Sequence, residues 1–148
     1  MRPRLTPMRS SAAQILHRVV KLGEGKNLLE LWHGPTCAFK DMALQMLPHL
    51  LTASLRKTGE TRTACILVAT SGDTGKAALD GFHDVPGTKI MVYYPVDGVS
   101  PMQKLQMVTQ EGRNVEVVAI RGNFDDAQSA VKRSSPMRIP AQRSTRTA

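Results

Sequence analysis

Two short segments contain the side chains best suited to chemistry, and the first is HGPTCAFKD at residues 33–41. Its Lys40 directly precedes Asp41, where an amphipathic run begins and where we expect a helix to start. An ammonium ion is disfavoured at the positive end of a helix, whereas a neutral or Schiff-base amine suffers less from that field. The position therefore fits a nucleophilic lysine. It also fits an ordinary exposed loop lysine beside a His-Gly-Pro turn.

The second segment, TSGDTGKAA at residues 70–78, follows a short apolar run and precedes a second amphipathic one. Backbone N–H groups at the start of a helix make a site for anions. Ser71 or Asp73 could equally cap this helix, and a cap and an anion site can coexist. The spacing is that of neither a P-loop nor a dinucleotide fingerprint. The predicted loop comprises Ser71, Gly72, Asp73, Thr74 and Gly75.

Short apolar runs alternate with longer amphipathic ones from Leu28 onward, which predicts an α/β fold with a partial, doubly wound parallel sheet of strand-helix repeats. Both loops then follow strands, at the edge where open α/β sheets bind ligands. A lysine and an anion site in one crevice suit a cofactor held as an imine beside a carboxylate substrate. Strands are predicted at 28–32, 64–70, 88–95 and 114–120, and helices at 41–57, 74–83, 125–133 and from Pro101 to a stop at Gly112.

The net charge of +8 comes entirely from the two ends of the chain. Residues 1–22 and 134–148 contain arginine and lysine but no acid, while the intervening stretch is balanced. We therefore expect a basic N-terminal segment at 1–22, an α/β cofactor- and substrate-binding core at 23–133, and a basic disordered tail at 134–148. No basic, aromatic-rich face for nucleic acid is expected.

The apolar runs are too short to span a bilayer, so no membrane association is expected. Cys37 and Cys65 are spaced for neither a metal site nor a disulfide framework, which favours a reducing compartment and hence the cytoplasm. The acid-free N-terminus is also typical of a mitochondrial transit peptide, and that alternative stays open.

Four blocks in order, HGPTCAFKD, ATSGDTGKAA, YYPVDGVSPMQKLQM and IRGNFDDAQSAVK, resemble the threonine synthase family over about Leu28 to Arg133. The resemblance implies the type II fold of pyridoxal-phosphate enzymes. It also implies a lyase of threonine biosynthesis that converts O-phospho-L-homoserine and water to L-threonine and phosphate.

The same resemblance implies roles for the site residues. Lys40 would carry pyridoxal 5′-phosphate and then shuttle protons among the substrate carbons. Asp73 would lie against the cofactor, where related enzymes often have an asparagine that bonds the ring hydroxyl. A packing role is implied for Phe39, and the role of His33 stays open. The substrate carboxylate would be received by Ser71, Gly72, Thr74 and Gly75.

The family's phosphate-gripping glycine loop and its partner for the pyridine nitrogen lie further along the chain than this sequence reaches. We therefore expect a fragment with little turnover of its own and an undetermined oligomeric state. Two alternatives remain, another type II enzyme such as a serine or threonine dehydratase, and a non-catalytic binding remnant.

Overall fold

The computed structural model describes residues 18–134 as five strands and four helices. Most of the predicted basic segment and nearly all of the predicted tail lie outside these residues. None of the described helices is long and apolar enough to cross a membrane. The elements in chain order are β1 (Arg18–Gly23), β2 (Lys26–Glu30), α1 (Asp41–Thr58), β3 (Ala64–Ala69), α2 (Asp73–Phe82), β4 (Thr88–Pro95), α3 (Pro101–Val108), β5 (Val115–Ile120) and α4 (Phe124–Ser134).

Strands β3, β4 and β5 form a parallel sheet in that order, with Ala64 opposite Thr88 and Ile90 opposite Val115. Helices follow each of these strands, because a parallel pair needs a crossover connection and the crossovers here are helical. The predicted α/β class with a parallel sheet is confirmed for this part of the chain.

The first two strands form a separate antiparallel hairpin, which corrects the prediction of a strand at 28–32 in the parallel sheet. β2 ends at Glu30 and pairs with β1, placing Val20 opposite Leu28. The sequence GEG supplies the turn, since Gly25 has φ +68°, a conformation that glycine adopts without a Cβ penalty. A hairpin replaces the expected first strand, while the helix predicted at 41–57 is present as α1.

The core lies between α2, β4 and α3. Alternate residues of β4 point toward α2, as the two-residue period of a strand requires. Full burial of a large apolar side chain such as Leu79, Phe82 or Ile90 contributes about 1.5–3 kcal/mol to the stability of the fold, before the entropic cost of ordering it. The loop before α2 is therefore attached to the best-packed helix. The buried cluster consists of Ala78, Leu79, Phe82, Ile90, Val92, Tyr94 and Met107.

Helix α1 packs closely on α2 near Gly81, where an added Cβ would run into the carbonyl oxygen of Leu44. Gln45 Nε2 also donates to Asp80 Oδ2 at 2.7 Å. Thr52 of α1 and Val85, which follows α2, line a cavity of about 560 Å³ beyond this contact. The first turns of α1 therefore pack on the last turn of α2.

Candidate active site

Lys40 occupies the N-cap position of α1, in helical conformation and without a side-chain capping bond. The predicted helix start is thus confirmed. Its side chain is half-buried, and Nζ lies 3.8 Å from the centroid of the Phe39 ring. Among residues 18–134, no carboxylate forms an ion pair with this amine. Lys40 has a cation-π contact at this exposed ring and no partner that fixes its charge.

The loop before Lys40 is closed by Asp41, for which sequence analysis predicts no role beyond starting the helix. Its carboxylate is 1% exposed and accepts two hydrogen bonds from Thr36, from the backbone N–H at 2.9 Å and from the hydroxyl at 2.6 Å. Gly34 is pressed against the same carboxylate, so that an added Cβ there would overlap it. Asp41 therefore fixes the shape of the segment that presents Lys40.

His33 lies at the start of this loop, where Nε2 is 2.5 Å from Glu30 Oε2. Arg18 of β1 approaches the same carboxylate oxygen at 3.8 Å. The contact ties the loop to the end of the hairpin. Within the described chain, His33 thus has a structural partner in Glu30.

The second predicted loop is organised by Thr70, a buried residue just after β3. Thr70 Oγ1 accepts hydrogen bonds from the N–H groups of Gly72 and Gly75, both at 2.9 Å. Gly72 is the N-cap of α2 and has no side-chain capping bond. The expectation that Ser71 or Asp73 caps the helix is therefore wrong, because the preceding threonine hydroxyl bonds the amides of the turn instead.

Several polar groups of this loop have no hydrogen-bond partner among residues 18–134. They are the backbone N–H groups of Ser71, Asp73 and Thr74, and the hydroxyls of Ser71 and Thr74. Amides at the first turn of a helix carry its positive partial charge and point away from the helix body. Amides placed in this way can bind an anion.

Asp73 points its Oδ1 toward α3, where Gln103 Nε2 donates to it at 2.8 Å. Gln103 is the third residue of α3 and also takes part in a capping box with Ser100. Ser100 is the N-cap of α3 and Pro101 follows it at the predicted helix start. Sequence inspection could not find the Asp73 contact, because its partner is 30 residues away.

Lys40 and residues 71–75 each lie at the start of a helix, and these two helices, α1 and α2, pack on each other. The prediction that both loops follow strands of one parallel sheet is wrong for the Lys40 loop, which follows a hairpin. No hydrogen bond joins the two loops directly. That the six predicted residues form one site stays a prediction.

No protein-family model matches the chain. Residues of this chain are 50% identical over 107 positions to threonine synthase of Pseudomonas aeruginosa, covering 72% of this chain and 22% of that protein. Threonine synthase of Saccharomyces cerevisiae is 40% identical over 115 positions, covering 74% of this chain and 22% of that protein. This chain is a homologue of the threonine synthases.

The fold supports the same relationship. The crystal structure of pyridoxal-phosphate-bound threonine synthase from Brucella melitensis matches with a TM-score of 0.73 at 39% identity, over 82% of this chain and 27% of that one. O-ureido-L-serine synthase matches at a TM-score of 0.56 but only 17% identity, which speaks for the shared fold alone. This threonine synthase homologue spans about a quarter of the length of the relatives it matches.

Proposed function

We propose that this chain carries the lysine and the anion loop of a pyridoxal-phosphate-dependent threonine synthase centre. The reaction is the conversion of O-phospho-L-homoserine and water to L-threonine and phosphate. One observation carries the proposal: Lys40 and residues 71–75 lie at the starts of two helices that pack on each other, in a chain 50% identical to a threonine synthase over 107 residues.

The residues present suit the cofactor. The half-buried Lys40 amine has no carboxylate partner in the described part of the chain, so an imine-forming group need not break an ion pair to reach it. The free amides of loop 71–75 suit an anionic group. When bound, pyridoxal phosphate supplies an electron sink for carbanion chemistry.

The protein's own contribution is positioning and proton movement. Lys40 Nζ binds the cofactor and then moves protons at the substrate carbons. The amides of Ser71, Asp73 and Thr74, with the Ser71 and Thr74 hydroxyls, bind the substrate carboxylate. Glycine is needed at both positions of that loop, because a Cβ would overlap Gln103 at Gly72 and Thr70 at Gly75. Asp73, whose carboxylate accepts a hydrogen bond from Gln103, would lie beside the cofactor.

The matched stretch covers only 22% of these threonine synthases, so we propose that the 148-residue chain by itself is poorly active. We further propose the cytoplasm as its compartment. The unpaired thiols of Cys37 and Cys65 support a reducing environment.

Borohydride trapping tests the cofactor assignment directly. The chain is incubated with pyridoxal phosphate, reduced, digested and analysed by mass spectrometry. We expect the reduced adduct on Lys40 in preference to other lysines, and its loss in Lys40→Ala but not in Lys104→Ala, an exposed lysine on α3. Equal labelling of several lysines, or labelling that survives in Lys40→Ala, would count against the proposal.

Substrate choice needs a second measurement on the same protein. We expect phosphate release from O-phospho-L-homoserine to be low for this chain and to be abolished in Lys40→Ala. Turnover confined to unphosphorylated hydroxyamino acids would instead indicate a dehydratase.

A further inference from the structure

Gln103 makes contacts that no helix cap requires. In the capping box its Oε1 accepts from the Ser100 N–H at 3.1 Å, while its backbone N–H donates to the Ser100 hydroxyl at 3.2 Å. The other end of the same amide, Nε2, donates to Asp73 Oδ1 at 2.8 Å. One side chain therefore joins the N-termini of α2 and α3.

The backbone of the anion loop packs against the same side chain. A Cβ added at Gly72 would lie under 3.0 Å from three atoms of the Gln103 amide. Gly72 also has φ +148°, which residues with side chains rarely adopt. Glycine at this position thus lets the loop reach Gln103, and Gln103 closes one side of the loop.

A carboxylate in the first turn of α2 is attracted by the same amides that a ligand anion would use. A free Asp73 side chain would compete with the ligand for these amides. Hydrogen bonding to Gln103 turns Oδ1 toward α3, while the amides of Ser71, Asp73 and Thr74 remain without partners among the described residues.

We propose that Gln103 is a positioning residue that keeps the Asp73 carboxylate off the amides of loop 71–75 and thereby keeps them available for an anion. The role of the loop as an anion site rests on the proposed function. The contact itself, and its effect on the loop, do not.

Replacing Gln103 with glutamate keeps the capping box with Ser100 but removes the hydrogen bond to Asp73, which we call the bridge. Glu accepts from the Ser100 N–H as Gln does, since S-x-x-E is an equally good capping box. It cannot donate to Asp73, and it brings a second carboxylate against the first. Adding Asp73→Asn to Gln103→Glu restores the bridge with reversed polarity, because the new amide can donate to the new carboxylate. Ser100→Ala is the matched control that removes the cap and leaves the bridge.

Amide hydrogen exchange in the full 148-residue chain measures the protection of loop 71–75 and of the Ser100 capping box without any ligand. The reporters of the loop are the amides of Ser71, Asp73 and Thr74, which have no partner among the described residues, and those of the cap are the amides of Gln103 and Lys104. In Gln103→Glu we expect exchange at the loop amides to slow about tenfold, because the released Asp73 carboxylate bonds them, and cap exchange to stay unchanged. The double variant should return loop exchange to within about twofold of wild type. Ser100→Ala should accelerate only the cap.

Unchanged loop exchange in Gln103→Glu would overturn the inference, and so would failure of the double variant to restore it. Gln103→Glu could lose exchange protection throughout the chain. The double variant with Asp73→Asn then tests the inference, because only a direct contact between residues 73 and 103 predicts that wild-type exchange returns.

A ligand experiment links the contact to the site. With pyridoxal phosphate bound, L-threonine is titrated and the visible absorbance of the cofactor is followed. We expect Gln103→Glu to weaken L-threonine at least about tenfold and the double variant to recover most of that loss. Equal affinity in wild type and Gln103→Glu would overturn the anion-loop role of Gln103. Absence of cofactor binding in the wild-type chain would instead count against the proposed function, while the exchange result would still judge the Gln103 contact.

Discussion

The buried carboxylate of Asp41 is the residue on which the shape of the Lys40 loop depends most directly. It satisfies both donors of Thr36 at once, the backbone N–H and the hydroxyl. Asp41→Asn offers only one acceptor oxygen and turns an NH₂ group toward one of these donors. A buried donor left without a partner costs about 1–3 kcal/mol, so we expect the free energy of unfolding to fall by that amount. Urea denaturation of the full chain measures it.

Asp97 provides the control for that substitution, since it is exposed and lies in the loop between β4 and α3. We expect Asp97→Asn to change stability by less than about 0.5 kcal/mol. Thr36→Val should destabilise as Asp41→Asn does, and Thr36→Ser, which keeps the hydroxyl, should not. Equal stability of Asp41→Asn and Asp97→Asn would show that the carboxylate does not hold the loop.

The residue types at the site were predictable, but their supporting contacts were not. Lys40 before a helix and a small, hydroxyl-rich loop before another are visible in sequence because each pattern is local. An acid at the start of a helix looks the same whether it is solvated or buried, so Asp41 had no distinguishing signal. Thr70 read as the last residue of a strand, and Gln103 as an ordinary residue of a predicted helix. Both act through hydrogen bonds that only the folded backbone determines.

At the scale of elements, periodicity and caps predicted most of the architecture. The strands near 64–70, 88–95 and 114–120 and their following helices end within a few residues of the prediction, because buried parallel strands and amphipathic helices have strong patterns. The hairpin was missed although GEG separates two runs rich in β-branched and apolar residues. The β1 strand begins inside residues 1–22, which were predicted to be a separate basic segment because they lack acidic residues. The two-residue turn therefore determines the local structure there more than composition does.

The C-terminal end of α1 carries a prediction of its own. Gly59 adopts φ +69° after the helix, and Glu60 follows it, with its N–H bonded to the Leu55 carbonyl. Hydrogen bonds from the Arg62 side chain, then from its backbone N–H, lower the pKa of Glu60 from its ordinary 4.5 to about 2. Because the folded pKa lies below the unfolded one, this contribution to stability is present above pH 4.5 and is lost as the pH falls toward 2.

Titration followed by NMR checks that value. We expect the Glu60 carboxyl to titrate near 2 in wild type and at a higher pH in Arg62→Gln, which loses the guanidinium but keeps the backbone N–H, with high salt raising the wild-type value. An ordinary pKa in the wild-type chain would mean that the Glu60–Arg62 pair is not formed in solution.

For the whole molecule, the unusual feature is a second apolar face on α1. One face packs on α2 through Leu44, whereas the other bears a stripe at helical spacing that stays open. Met46 and Leu50 are 57% and 58% exposed. Exposed stripes of this kind mark surfaces that other polypeptide covers. The chain corresponds to about a quarter of its relatives, which agrees with a face that more polypeptide covers in those proteins. The stripe consists of Met42, Met46, Leu47 and Leu50.

We expect this stripe to drive concentration-dependent self-association of the 148-residue chain, because burying it between two copies removes apolar surface from water. A fully buried side chain of this size contributes about 1.5–3 kcal/mol, so Leu50→Gln should weaken the association constant about tenfold or more. Thr63→Gln, an exposed neutral change in the loop before β3, should leave it unchanged. Sedimentation velocity over a range of concentrations measures both. A wild-type chain that stays monomeric throughout, or a Leu50→Gln variant that associates as wild type does, would place the association surface elsewhere and leave the α1 stripe a solvated face.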